Sequence, residues 1–267
     1  MSDAAPRADA PVWVILPTYD EADNLERAVA AILPGLRALA PPGSRVLVVD
    51  DASPDGTVAI ADRLAAGDDG VEVLHRARKD GLGPAYVTGF GRALSGGAGF
   101  VVEMDADLSH DPAHLAAMVA QARAGEDVVV GSRYVPGGGI EGWGRLRRWL
   151  SRGGCLYART VLGVGVRDLT SGYKCFRAEA LRDIDYASVR SRGYAFQIEL
   201  TYRALRRGWR VAEVPIVFRE RRAGRSKMTG RIALEAAWRV AALRWTPAPA
   251  AAGTAAEDEA PVHSAAP

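Results

Sequence analysis

The chain has 267 residues, 48% hydrophobic and 25% charged, with a formal net charge of +2. That is room for one large α/β domain or two small ones, with the composition of an ordinary soluble globular protein. The near-neutral charge argues against a polyanion binder held by bulk charge, and no nucleic-acid partner is expected.

Basic charge is instead local. Between Glu141 and Leu162 lie Arg145, Arg147, Arg148, Arg152 and Arg159 against one acid, and Lys and Arg also crowd the segment 203–231. An anionic partner is expected for the C-terminal half. The two cysteines, Cys155 and Cys175, have neither CxxC spacing nor a histidine pattern, so reduced thiols are expected rather than a disulfide framework or a zinc site. Residues 1–11 lack the charged start and apolar core of a signal peptide and read as disordered. No run reaches the roughly 18 apolar residues of a membrane span. Contact with a membrane would therefore mean lying on it, or docking to an anchoring partner protein within it.

Apolar runs at 13–16, 46–49, 71–74, 100–104 and 128–130 read as buried strands. Helical spacing separates them at 22–39, 57–65, 85–94 and 112–123, with Pro112 suited to a first turn. Strands buried on both faces and joined through helices predict a parallel sheet with right-handed crossovers. Beyond Gly131 the spacing predicts a basic amphipathic helix over 143–162, a strand at 173–177, a helix over 194–207, a strand at 210–218 and a helix over 228–244. The Ala/Pro-rich tail 246–267 reads as disordered, so the predicted globular unit is 12–245.

Ligands of an open parallel sheet bind beyond the carboxyl ends of its strands. The ends of the first, second, fourth and fifth of these strands carry polar groups: Pro17-Thr18-Tyr19-Asp20-Glu21, Asp50-Asp51, Asp105-Ala106-Asp107-Leu108-Ser109, and Gly131-Ser132-Arg133. Two carboxylates spaced as Asp105 and Asp107 can hold a hard divalent cation together with phosphate oxygens. Alone, Asp-x-Asp equally suits an acidic turn capping the helix at Pro112; a buried strand before it and Asp50-Asp51 alongside favour the site. Gly81–Gly91 fits no dinucleotide fingerprint, because Tyr86 stands where the third glycine belongs, and reads as a closely packed helix. His110 and His114, four apart, read as a surface pair. The basic segment 218–228, with Lys227, suits a solvated loop as well as one closing over phosphates.

Together PTYDEADN (17–24), VVDDASPDGT (48–57), GLGPAYVTGF (81–90), EMDADLSHDP (103–112), GSRY (131–134), WLSRGG (149–154), DLTSGYKCF (168–176), GYAFQIEL (193–200), EVPIVF (213–218) and RERRAGRSK (219–227) carry a resemblance. The chain resembles the dolichol- or polyprenol-phosphate mannosyltransferases, family-two glycosyltransferases of the GT-A fold, over about 12–244. The resemblance implies an α/β, Rossmann-like, mostly parallel sheet with amphipathic interface helices. It implies inverting transfer of mannose from GDP-mannose to a polyprenyl or dolichyl phosphate, with Mg2+ or Mn2+, on the cytoplasmic face of a membrane. It implies that Pro17, Tyr19, Glu21, Val49 and Asp51 hold the nucleoside and that Asp105, Ala106 and Asp107 meet sugar and diphosphate. Asp107 would sit on the metal, with Ser109 where some relatives have Gln. Arg133 would face a phosphate, Arg221 and Lys227 would close over the donor, and Ser132 with Arg147 or Arg148 would contact the acceptor phosphate.

An anionic acceptor needs no general base, so charge neutralisation and positioning are the expected demands. Trp143, Leu146, Trp149, Leu150 and Leu156 are expected on one membrane-facing stripe, with Met228, Ile232, Trp238 and Leu243 on a second. The alternatives are a UDP-glucose-dependent enzyme on the same lipid, a processive synthase, which lacks its Gln-x-x-Arg-Trp signature here, and an inactive nucleotide-sugar-binding scaffold.

Overall fold

The computed structural model describes residues 9–191, 193–220 and 230–246, the side chains of 230–236 excepted. Its first half alternates as expected: β1 (Val12–Thr18), α1 (Leu25–Leu39), β2 (Arg45–Asp50), α2 (Thr57–Gly67), β3 (Val71–His75), α3 (Leu82–Ser95), β4 (Phe100–Glu103), α4 (Leu115–Arg123) and β5 (Val128–Ser132). There follow β6 (Gly139–Glu141), α5 (Arg145–Leu162), β7 (Lys174–Arg177), α6 (Ala178–Asp183), α7 (Tyr194–Arg206), β8 (Val211–Pro215), β9 (Val217–Arg219) and α8 (Gly230–Trp245). Seven strands form one sheet in the order β3-β2-β1-β4-β7-β5-β8. Residues 1–8, Arg192, 221–229 and 247–267 lie outside the described residues, and with them most of the predicted disordered N-terminus, Arg221, Lys227, Met228 and most of the predicted disordered tail.

Side-chain alternation explains the continuous apolar runs. Val12, Val14 and Leu16 of β1 join one core with α1 and α4. Trp13 and Ile15 join another with α3 and α7 on the opposite face. A strand covered on both sides has no position for a polar residue, so the pattern loses its period of two. A third core joins α5, α7 and α8. Two glycines are set by these contacts. A Cβ on Gly89 would come within 2.6 Å of Ile15, and one on Gly96 within 2.6 Å of the Trp13 ring, so helix and strand approach closely only because both lack one.

The structure departs from the sequence reading in four places. The strand at 173–177 enters the sheet antiparallel, between β4 and β5. The run 210–218 is divided at Ile216: β8 pairs with β5, while β9 turns away to pair with β6 in a separate two-stranded sheet. The helix expected from Pro112 opens with a 3-10 turn, Pro112–His114, whose leading Asp111 carboxylate accepts the Ala113 N–H at 3.0 Å. Residues 9–11 belong with the globular unit, since Ala10 packs on the first core and the Pro11 carbonyl accepts the Gly99 and Phe100 N–H groups. The α5 helix runs unbroken through Gly153-Gly154.

The antiparallel insertion places Glu103 opposite Lys174 in the register of β4 and β7. Both are fully buried. Lys174 Nζ donates to the Gln197 carbonyl at 2.8 Å and to its side-chain oxygen, whereas neither Glu103 oxygen has a hydrogen-bond partner among the described residues. Burial pushes the Glu103 carboxyl up to about 8, against the opposing charge of Lys174. Burial likewise pushes Lys174 down to about 8. A carboxyl whose folded value lies above its unfolded value contributes stability that is complete below the unfolded value and lost as pH rises through the folded one. Unfolding free energy should fall between about pH 4.5 and 8 by on the order of 1 kcal/mol per pH unit. Glu103→Gln should flatten that slope in urea titrations across the window. An equal slope in both proteins would mean that Glu103 is ionised against Lys174.

Candidate active site

The carboxyl ends of β1, β2, β4 and β5 converge on one edge. Of the four non-glycine residues with positive φ among the described residues, three lie in loops there: Asp20 at 59°, Ala52 at 60° and Leu108 at 60°. Ala and Leu gain nothing from a left-handed backbone, so the surrounding contacts hold these turns in place.

The first two loops interlock. Asp50 accepts Thr18 Oγ1 at 3.2 Å and Ser53 Oγ at 2.6 Å, and the Asp51 N–H donates to the Thr18 carbonyl at 2.9 Å. Asp51 is buried; it pairs with Arg76 and accepts the N–H groups of Asp80 at 3.0 Å and Gly81 at 2.8 Å. The loop ahead of α3 is thereby tied to the end of β2. The Lys79 ammonium sits 3.3 Å from the centre of the Tyr19 ring, a cation over an aromatic face at the edge. Glu21 takes its N–H to Thr57 Oγ1 at 3.0 Å and accepts Asn24 Nδ2 at 2.7 Å. Pro17 is half-buried at the end of β1. Val49 does not present its side chain to this edge: it is fully buried in the second core, against the face of Gly89.

After β4, Met104 and Ala106 are buried, Asp105 is one-third exposed, and Asp107 is 6% exposed. Asp107 accepts the Ser109 N–H at 3.0 Å, closing a tight turn around Leu108. The Ser109 hydroxyl is buried beside it and has no hydrogen-bond partner among the described residues. A carboxylate and an unsatisfied hydroxyl are hard oxygen donors, suited to a divalent cation that takes its remaining ligands from phosphate oxygens and water. Among the described residues no three His, Cys, Asp or Glu side chains converge as a complete metal cage. The site fits a cation shared with a substrate.

The expected surface pair of histidines is not one. His110 is 2% exposed, tilted against Tyr173 with ring centres 5.1 Å apart and edge-on to Phe218 at 5.4 Å. Burial pushes its imidazole down to about 4, against the pull of Asp107. It is neutral, and its Nδ1 accepts the Asp105 N–H at 3.2 Å, so its 3.8 Å approach to the Asp105 carboxylate is no ion pair. His114 accepts the Val217 N–H at 3.2 Å. Both histidines hold the Asp-x-Asp loop against β9. Arg219 adds to this, with its N–H on the Ser109 carbonyl at 3.1 Å and its guanidinium on Asp111 at 2.6 Å.

At the end of β5, Arg133 is 6% exposed and forked onto Asp168, which is fully buried. Nε and Nη2 reach the two carboxylate oxygens at 2.7 Å each, and the backbone N–H adds a third bond at 2.9 Å. Nη2 also reaches Thr170 Oγ1 at 2.8 Å. Burial alone would push Asp168 up, but the charge and hydrogen bonds of Arg133 outweigh it and hold the carboxyl below its ordinary value. Burial likewise opposes the Arg133 charge, and Asp168 more than restores it. Arg133 was expected to face a phosphate; its fork is committed to Asp168 instead, with Nη1 not engaged by that pair. Asp168 and its support by Glu213, which accepts the Arg167 and Asp168 N–H groups at 2.8 and 3.0 Å, escaped the sequence reading. Only their place within two recurrent segments, DLTSGYKCF and EVPIVF, marked them.

The acceptor-side residues divide. Ser132 is fully buried, and its hydroxyl accepts the Tyr134 N–H at 3.3 Å, so it is not open to an acceptor. Arg147 lies 3.9 Å over the Trp143 ring and 2.9 Å from Glu220. Arg148 is exposed, its Nε on the Trp143 carbonyl at 2.9 Å. Trp143 is 7% exposed and leaves the expected membrane-facing stripe; it packs edge-on to Phe218 at 5.3 Å, under Arg147. The rest of that stripe is open: Leu146, Trp149, Leu150 and Leu156 are 74%, 75%, 62% and 61% exposed. Of the second, Trp238 is 74% exposed and Leu243 is half-buried on the third core; Met228 and the side chain of Ile232 lie outside the described residues, as do Arg221 and Lys227. No helix among the described residues is long and apolar enough to cross a membrane.

Residues 13–185 match the family described as glycosyl transferase family 2. The chain is 48% identical over 229 residues to the polyprenol monophosphomannose synthase of Mycolicibacterium smegmatis, covering 85% of this chain and 84% of the relative. It is 47% identical over 234 residues to the undecaprenyl-phosphate mannosyltransferase of Micrococcus luteus, covering 88% and 93%. Among solved structures, glucosyl-3-phosphoglycerate synthase from Mycobacterium tuberculosis, in complex with phosphoglyceric acid, superposes with a TM-score of 0.68 at 21% identity, over 91% of this chain and 83% of that one. At that identity the likeness speaks for the fold alone, and it agrees with the GT-A architecture implied by the sequence. With the family matched over most of the sheet and near-half identity to two such enzymes, the chain belongs to glycosyl transferase family 2 and is a glycosyltransferase.

Proposed function

We propose that the protein transfers mannose from GDP-mannose to a polyprenyl phosphate, with inversion at the anomeric carbon, at the cytoplasmic face of a membrane. The observation that carries the reading is the near-half identity, across most of both chains, to two proteins named for making mannosyl-phosphopolyprenols. The edge residues suit such a reaction. Tyr19, Glu21 and Asp51 would line the nucleoside side of the edge, with Pro17 and the backbone near Val49. Asp105 and Ala106 would lie along the sugar and diphosphate.

Asp107, with Ser109 and the donor's diphosphate oxygens, would hold a divalent cation, Mg2+ or Mn2+, whose charge offsets that of the departing nucleoside diphosphate. The acceptor phosphate is already an anion, so the protein need not remove a proton from it. It must instead bring two anions together and orient one oxygen at the anomeric carbon. Arg133 Nη1, Arg147, and Arg221 and Lys227 from the segment that follows Glu220 would supply the positive field. Arg147 would exchange Glu220 for phosphate, and Arginine's planar fork suits that role. The exposed Leu146, Trp149, Leu150 and Leu156 on α5, flanked by arginines, suit a helix lying in the headgroup region where the lipid acceptor is met. A membrane-anchoring partner protein could hold the same face.

Labelled transfer to a polyprenyl phosphate should require GDP-mannose and a divalent cation; transfer from UDP-glucose instead would change the donor but keep the chemistry. Asp107→Asn keeps an acceptor for the Ser109 N–H, so it should fold normally and lose roughly 100- to 1,000-fold in kcat. A kcat within tenfold of wild type would remove Asp107 from the leaving-group role.

Asp168→Asn leaves the Arg133 charge buried without its counter-ion, and should cost about 3–5 kcal/mol in unfolding experiments. Arg133→Met combined with Asp168→Leu should recover most of that stability while transfer stays low. Recovered transfer in the double variant would reduce the pair to a structural brace.

A further inference from the structure

The flank of α5 turned away from Arg147 carries a second group of arginines. Arg152, Arg159 and Arg167, with Tyr134, Cys155 and Leu156, line a cavity of about 370 Å3. A neighbouring cavity of about 380 Å3 shares Arg152 and Leu156 and adds Arg145 and Arg148. Positions 145, 148, 152 and 159 recur at helical steps and so share one side of α5.

Among the described residues, none of Arg152, Arg159 and Arg167 makes an ion pair with an acid. The acids nearby are otherwise engaged: Asp168 by the fork of Arg133, Glu213 by two backbone N–H groups. The Cys155 thiol on the cavity wall is held protonated, pushed up to about 11 by burial and next by the Asp168 charge. Arg159 Nε is enclosed and has no hydrogen-bond partner among the described residues. Guanidinium groups gathered around one space without an anion repel one another and raise a local positive potential. Their planar donors match phosphate oxygens. At the rim, Leu156 is 61% exposed, and Trp149, on the adjoining cavity, 75%. A ligand suited to both features has a phosphate at one end and an apolar chain at the other.

We propose that Arg152, Arg159 and Arg167 form a phosphate site for the headgroup of a membrane lipid, on the opposite flank of α5 from Arg147. The site rests on the membrane-surface reading above and gives that surface a specific anchor. It holds the protein by the headgroup while the exposed apolar residues of α5 enter the lipid.

The test is co-sedimentation of the full chain with vesicles of phosphatidylcholine alone, with phosphatidylglycerol added, or with polyprenyl phosphate added. Arg159→Gln with Arg167→Gln should weaken binding to acidic vesicles by about fivefold for each arginine removed. Arg152→Gln, at an exposed position, should weaken it by a similar single step. Arg159→Lys with Arg167→Lys should also weaken binding, because lysine keeps the charge but loses the fork. Loss on phosphatidylglycerol vesicles would assign the bulk acidic lipid, and loss on polyprenyl phosphate vesicles alone would assign the acceptor lipid. Competition by inorganic phosphate alone, with no vesicle preference, would mean a site for free phosphate and overturn the lipid assignment. Full binding by the lysine pair would leave only diffuse charge attraction, and undiminished binding by the glutamine pair would remove the site. Wild-type transfer measured in detergent micelles reports on the reaction by itself, so failure of this site and failure of the proposed reaction are separable.

Discussion

The buried fork between Arg133 and Asp168 ties together the carboxyl edge of the sheet. Desolvating two charges is costly, and their attraction offsets that cost only with near-ideal geometry and full hydrogen bonding. Both conditions are met: two bonds of 2.7 Å between the side chains, one from the Arg133 backbone, and one from Arg133 to Thr170. The pair joins the end of β5 to the segment between α5 and β7, two parts of the chain 35 residues apart. Glu213 on β8 fastens that segment from the other side by holding the Arg167 and Asp168 N–H groups. Together with the third core, which packs Ala158 and Leu162 against α7 and α8, this linkage fixes the C-terminal end of α5.

A second constraint acts on the Asp-x-Asp loop. Between β4 and the 3-10 turn the chain must present Asp107 to the edge while burying Ala106 and His110 on either side of it. The left-handed backbone at Leu108 makes the reversal, and the neutral His110 accepts the Asp105 N–H. Then β9 covers the loop, with Arg219 bound to both the Ser109 carbonyl and the Asp111 carboxylate.

The first five strands and their helices were legible because burial on both faces of the sheet leaves a signal that needs no distant partner: a short apolar run bounded by polar residues. The carboxyl-end carboxylates were legible for the same reason, since they interrupt those runs. What failed depended on long-range contact. Trp143 has the amphipathic spacing of its neighbours, yet Phe218 and Arg147 cover it. His110 and His114 have the spacing of an exposed pair, yet β9 crosses over them. Val49 and Ser132 stand at strand ends with buried side chains, an orientation that a resemblance of segments does not specify. The antiparallel direction of β7 and the break at Ile216 are likewise properties of pairing partners, which local sequence does not encode.

On the proposed reading, the reaction's difficulty is that two anions must approach each other, and the chain separates the means of meeting it. Carboxylates that suit a cation lie on the edge formed by β2 and β4, while the arginines lie beyond β5 and along α5. Placing both sets together would let them neutralise one another, as Arg147 and Glu220 already do at 2.9 Å. That exposed pair is weak, as such pairs are, and a dianionic phosphate can displace the carboxylate from a guanidinium that is already oriented by the Trp143 ring. The buried fork of Arg133 is the opposite case: its partner is enclosed and triply bonded, so displacing that partner would strand a buried charge. One arginine is thus exchangeable and the other fixed, and the difference between them is set by solvent exposure: 34% for the Arg147 side chain against 6% for Arg133.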